Sequence, residues 1–163
     1  MVSTRFHRYL WASPNTLVGL AFAVAAIIAG RAALVDGVVE AHGPWLRWIL
    51  RRIVPLRGGA LAITLGHVVI GRDRRALDET RGHERVHVAQ YERLGPLFIP
   101  AYFAASLWAL ARGGHAYFDN LFEREAIDAE RLDGHPVRLR VAVHGRGDGE
   151  RERGARNHTG PEN

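Results

Sequence analysis

Two histidines four residues apart, with a glutamate directly after the first, are the strongest chemical signal in this chain: His83-Glu84-Arg85-Val86-His87. On a helix, positions i and i+4 lie one turn apart on the same face. Both imidazoles can therefore reach one cation, and Glu84 is placed beside a metal-bound water as a candidate general base. The chain carries 9 His in 163 residues, so this pattern arises by chance on the order of a few per cent of the time. Its surroundings decide its meaning. Two imidazoles do not make a tight zinc site, so a third ligand is required. A third His six residues after the second is one known solution, but Arg93 stands there and Gln90 occupies the position where that pattern has Gly. The other solution is a carboxylate from a later helix. The stretch Asp119-Asn120-Leu121-Phe122-Glu123-Arg124-Glu125-Ala126-Ile127-Asp128-Ala129-Glu130 offers one, with Asp119 or Asn120 as its cap. Glu123 and the small Ala126 share a face, which allows close approach to the first helix. Glu125 is the rival ligand.

With these residues in hand, the chain resembles the gluzincin group of zinc metallopeptidases: His83-Glu84-x-x-His87 followed by Glu123-x-x-Ala126. It also looks like small bacterial membrane proteins with an HExVHxxQY…FEREA pattern. The resemblance covers residues 83–130. It implies zinc held by His83, His87 and Glu123, with Glu84 as catalytic base and Glu123 favoured over Glu125 by motif register. It also implies a small α+β, zincin-like domain built from the HExxH helix, a second ligand helix and short antiparallel strands. One position departs. The Asp that supports a ligand His in the family falls on Ile127, and loss of such support weakens metal affinity or activity by ~10–100-fold.

The elements that must position these groups are marked by periodicity and punctuation. Residues 1–33 read as an N-terminal membrane anchor or signal-like helix. Arg5, Arg8, Tyr9 and Trp11 lead into Thr16–Gly30, which is free of charge up to Arg31. That run is about 15 residues, short of the ~20 that span a bilayer, unless Leu10 and Trp11 are counted with it. A buried core helix is the competing reading. Residues 34–144 read as the metal-binding domain. A strand pair turns at Asp36-Gly37. Residues 44–55 put Trp45, Trp48, Ile49 and Ile53 on one helical face and Arg47, Arg51 and Arg52 on another, as in an interfacial or surface helix. Ala60–Gly71 is strand-like, with a bulge or turn at Gly66. The HExxH helix runs from about Asp78 to Leu94, is capped by Asp73 or Asp78, and stops at Gly95-Pro96. Its metal face would also carry Gln90 and Tyr91.

Residues 96–112 are apolar enough to suggest a membrane crossing. A single crossing would put His87 and Glu123 on opposite sides of a ~30 Å hydrocarbon layer. Metal ligands must instead meet within ~2 Å of one ion. The segment is therefore expected to be a compact, re-entrant or interfacial helix that ends at Gly113-Gly114. Tyr102 and Tyr117 are candidate substrate contacts, although core packing is the commoner role for such residues. His67 and His115 are expected to be a packed residue and a loop residue. Residues 137–143 alternate as an edge strand, and residues 145–163 read as a polar, disordered tail.

Composition narrows the function. Cysteine is absent, so a metal must be held by His, Asp or Glu. The net charge is +5, carried entirely by arginine on the basic side. No interleaved basic and aromatic pattern marks a nucleic-acid module, so the partners expected are a peptide or protein substrate and membrane lipid, with the chain associated with the bacterial inner membrane. The expected activity is peptide-bond hydrolysis in which Glu84 activates a zinc-bound water. The alternative is a non-catalytic membrane protein that keeps a structural metal or none.

Overall fold

The computed structural model describes residues 2–52 and 58–132. The edge strand expected at 137–143 and the tail from 145 lie outside them, as does the expected end of the helix at Pro55.

The chain is mixed α+β, with one four-stranded sheet between helical layers. α1 (Val2–Ala29) leads into β1 (Arg31–Val35) and β2 (Val38–His42), then α2 (Pro44–Arg52). β3 (Ala62–Leu65) and β4 (Val68–Gly71) follow, then α3 (Arg74–Leu94), a 3-10 turn (Gly95–Leu97), α4 (Phe98–Ala111) and α5 (Leu121–Leu132). Two hairpins make the sheet. Asp36 and Gly37, both at positive φ (49° and 80°), turn β1 into β2, the geometry that a two-residue hairpin loop demands. Gly66, at φ 62°, turns β3 into β4.

The expectation of antiparallel strands holds within each hairpin, but the hairpins meet through a parallel pair. The order is β1-β2-β4-β3, with Val39 opposite Val68 and Ala41 opposite Ile70 on parallel strands. After α2 the chain re-enters the sheet as β3, which runs opposite to β2, and the β3–β4 hairpin then brings β4 in alongside β2 and parallel to it. β4 is then central and buried along its length, while β3 is an edge.

Alternation along the strands divides two cores. Val68, Ile70 and Ala41 face α1 and α2, where Ala23, Leu46 and Leu50 complete one cluster. Val38, Ala62 and Val69 face α3 and meet Leu77 and Val88. α1 carries a buried stripe of Ala12, Asn15, Gly19 and Ala23, of which Gly19 and Ala23 meet the first face while Ala12 packs on Tyr91 and Phe98. At Gly19 an added Cβ would stand 2.7 Å from that of Val68. Asn15 donates to the Gly95 carbonyl (3.1 Å), and the Thr16 hydroxyl accepts from the His67 amide (3.1 Å). On α2, Leu46 and Leu50 are buried while Trp45 and Trp48 stack on each other, half exposed.

Polar groups on the second face tie α3 to the sheet in a fixed register. Glu40 is buried and receives both arms of Arg81, at 2.8 and 2.9 Å. Leaving such a buried carboxylate without its partner costs ~3 kcal/mol or more, so this pair pins the rotation of α3. Asp73 caps the helix by accepting from the Ala76 amide (2.9 Å). Gly95, at φ 56°, ends it.

By length and composition alone, the helical run Arg74–Ala111 is long and apolar enough to cross a membrane, a criterion that the core helix of a soluble protein also meets. Its charge-free part is residues 94–111. α4 exposes Phe103, Leu107, Trp108 and Leu110. The chain then returns, so that α5 packs against both α3 and α4.

Candidate metal centre

α3 delivers His83 and His87 from successive turns, as their spacing requires. Both side chains are buried, and their Nε2 atoms lie 3.0 Å apart. α5 crosses them with Ala126 fully buried at the crossing, so the backbones approach closely. This brings Glu123 into the same space. Its Oε2 is 3.2 Å from Nε2 of His83, and its Oε1 is 3.4 Å from Nε2 of His87. His83, His87 and Glu123 thus form a buried group that could hold a metal ion.

The spacing and the state of these atoms fit a cation. Tetrahedral ligands at ~2.0–2.1 Å from an ion stand about 3.3 Å from each other, and the two imidazole nitrogens, 3.0 Å apart with one carboxylate oxygen of Glu123 at 3.2 or 3.4 Å from each, are close to that spacing. Oε2 of Glu123 is buried without a hydrogen-bond partner. Its polar neighbour is Nε2 of His83, at 3.2 Å, and a cation in the space shared with the imidazoles would satisfy this buried oxygen when that nitrogen carries no proton.

The tautomer of His87 follows from its neighbour. Gln90 donates its amide NH2 to the Phe122 carbonyl and to Glu125, both at 3.0 Å. Its Oε1 therefore faces Nδ1 of His87, at 2.8 Å, and can only accept. Nδ1 carries the proton, which leaves the lone pair of Nε2 directed at the cluster. Tyr102 of α4 donates its hydroxyl to Oε1 of Glu123 at 2.7 Å. Asn120 is fully buried and fixes that approach by donating to the Tyr102 carbonyl (3.0 Å) and to Ser106 (2.7 Å). Its Oδ1 caps α5 through the Phe122 amide. Phe98 and Phe122 pack beside Tyr102 and form an apolar wall.

Glu84 is buried on α3, outside the ligand trio. The hydroxyl of Thr64 on β3 donates to its Oε2 at 2.7 Å. Sequence reasoning missed Thr64, because its role depends on β3 lying beside α3. It also missed Glu130, whose Oε2 is 3.8 Å from Nδ1 of His83. Glu125 is elsewhere: half exposed, it is held by Arg93 at 2.8 Å. Tyr91 is a core residue beside Phe98. His67 is buried, stacks on Tyr9 and lies 3.3 Å from Glu92. His115 sits in an exposed loop, where its Nδ1 accepts from the Tyr117 amide.

The electrostatics follow from this crowding. For His83, burial works against the charged form, but the carboxylates of Glu123, Glu130 and Glu84 outweigh it and lift the pKa to about 9. For Glu123, burial opposes ionisation, yet the two imidazoles hold its pKa well below the usual carboxylate range. The metal-free chain thus gains stability from protonated His83, fully present below the unfolded-state value near 6.5 and lost as pH rises through about 9. A cation must displace that proton. Metal affinity should therefore rise by about tenfold per pH unit up to pH 9 and level off above it. Chelator competition between pH 7 and 10 measures this, and a flat profile would contradict the assignment of His83.

Comparison of the chain with protein-family models, with curated proteins and with solved structures finds no match.

Proposed function

We propose that this chain is a membrane-associated, zincin-like metallopeptidase with zinc held by His83, His87 and Glu123. The observation that carries the reading is the convergence of three ligating side chains from two helices, buried together, with one ligand atom from each lying within 4.8 Å of the others. Nitrogen and carboxylate donors with no thiolate suit zinc. When bound, the ion would polarise a peptide carbonyl and make a water more acidic.

The protein's own groups supply the rest. Glu84, oriented by Thr64, accepts a proton from the attacking water and returns it to the departing amine. Gln90 keeps His87 in the tautomer that presents Nε2. Tyr102 holds Glu123 through its hydroxyl. β3 is a sheet edge beside α3, so an extended peptide can add to it by main-chain hydrogen bonds. Hydrolysis of a fluorogenic peptide library by the purified chain tests the reading. Activity should be abolished by chelation and restored by zinc. Cleavage that persists in chelator would refute it.

Association with lipid rests on α4. One side of this helix reaches Glu123 through Tyr102, while Phe103, Leu107 and Trp108 are exposed on it. At 14 residues α4 is ~21 Å long, too short to cross ~30 Å of hydrocarbon alone. It suits a helix lying in the interface, which sets the metal centre within about one helix diameter, ~10 Å, of the lipid. Substrates would then be membrane-proximal segments. A chain retaining Trp108 as its single Trp should be quenched by vesicles of brominated lipid. Unquenched fluorescence at saturating lipid would rule out this placement.

A second reading has one observation in its favour. The three ligand side chains are each less than a tenth exposed, which also suits a structural metal without turnover. It predicts zinc binding with no hydrolysis.

A further inference from the structure

The position that supports a ligand His in the resembled family is Ile127 here, half-buried and without a polar atom to offer. Yet His83 has a carboxylate neighbour on its far side. Oε2 of Glu130 lies 3.8 Å from Nδ1 of His83, with side chains 8% and 3% exposed. Nδ1 itself is buried and makes no hydrogen bond. We propose that Glu130 is the orienting carboxylate of His83, taking over from one turn further along α5 the task that residue 127 does not perform. The inference rests on the metal reading above and concerns how that site is held.

Helical geometry explains why this register works. Glu123, Ala126 and Glu130 are the buried residues of α5 and form one stripe. At 100° per residue, position 130 lies about 20° from position 123 around the axis, whereas position 127 lies about 40° away on the other side. Glu130 starts ~10 Å further along the helix. Its Cα–Cβ bond leans toward the N-terminus, and its long side chain reaches back toward the cluster. Glu is one methylene longer than Asp, and that length carries its Oε2 to within 3.8 Å of Nδ1 of His83.

The requirement is chemical. With a metal held at Nε2, His83 must carry its proton on Nδ1, which then needs an acceptor. Gln90 meets this need for His87 at 2.8 Å. Glu130 is the acceptor placed to meet it for His83, and a shift of under an ångström closes the hydrogen bond. The two histidines would then be oriented by different partners, one from α3 itself and one from α5. The charged partner raises the donor strength of its imidazole more than the amide does. Glu130 touches neither metal nor substrate in this arrangement, so it is a positioning residue.

Zinc affinity of the full-length chain, measured by chelator competition, tests this, with the visible spectrum of the cobalt-substituted protein as a second readout. Glu130→Ala should weaken zinc by ~10–100-fold and alter the cobalt bands, with helix content unchanged. Glu130→Gln, which keeps an acceptor but not the charge, should fall between wild type and Glu130→Ala, and it decides the matter if the alanine variant does not fold. Adding Ile127→Asp to Glu130→Ala should recover part of the lost affinity, which a merely space-filling role would not allow. Asp128→Ala, an exposed carboxylate on the same helix, serves as control and should bind like wild type. Wild-type affinity in both Glu130 variants would overturn the proposal while leaving the metal site intact. A wild-type chain that binds no zinc would overturn both.

Discussion

Glu84→Gln should abolish peptide hydrolysis and leave the metal in place. The two halves of this result come from different features of one side chain. Glu84 lies outside the trio of His83, His87 and Glu123, so its charge is not needed to ligate the ion. Its Oε2 accepts the Thr64 hydroxyl at 2.7 Å, and the Gln carbonyl oxygen can accept the same bond. Burial and packing are therefore conserved, and stability should change little. The amide has no basic oxygen for a proton, so general base catalysis is lost, which is typically worth 10²–10⁴-fold in rate. The measurement is kcat on a cleaved peptide together with zinc content of the same sample. Turnover at wild-type rate would remove Glu84 from the chemistry. Loss of zinc would instead make it part of the binding site.

Glu123→Ala should empty the site, and Glu125→Ala should not. The two glutamates are two residues apart in sequence but about 200° apart around the helix. Glu123 is buried against both imidazoles. Glu125 is half exposed and paired with Arg93. Apparent zinc affinities of 10–16 kcal/mol shared over about four positions assign each ligand roughly 3 kcal/mol, so losing one should weaken binding on the order of a hundredfold to a thousandfold. Glu125→Ala removes a surface ion pair, worth at most ~1 kcal/mol, and frees Gln90 from one of its two acceptors. Equal zinc affinities in the two variants would show that the third ligand has been misassigned.

What could be seen in the sequence was local. The i, i+4 spacing of His83 and His87 carries its own geometry, because a helix fixes it. Asp36-Gly37 and Gly66 announce their turns through the backbone angles that only certain residues tolerate. Asp73, Gly95 and Asn120 mark helix ends by the hydrogen bonds they make. The compact return after residues 96–112 could be deduced, since two ligands of one ion must meet.

What could not be seen depends on distant partners. Nothing in Val38–His42 or Val68–Gly71 says that these strands lie side by side and parallel, because that pairing is set by where the β3–β4 hairpin docks after α2. Thr64 looks like any strand threonine until β3 lies beside Glu84. Glu130 was hidden for a different reason. It lies two helical turns beyond Glu123, and only the crossing of α3 and α5 shows that it is the acid facing His83. The N-terminal helix is the most ambiguous case, since an apolar run reads the same for lipid and for protein. Ala12, Asn15, Gly19 and Ala23, small or polar and spaced by three to four residues, were the available hint that one face of this helix packs closely on protein.

The most direct test is the metal content of the chain purified from zinc-replete cells and washed free of loosely bound ions. Elemental analysis should find one equivalent of zinc per chain in the wild type, with an absorption-edge spectrum of nitrogen and oxygen ligands and no sulfur. Zinc should be absent from a His83→Ala, His87→Ala double variant that retains its helix content. A wild-type chain carrying no stoichiometric metal, or one whose metal survives the loss of both histidines, would contradict the site on which the proposed chemistry stands.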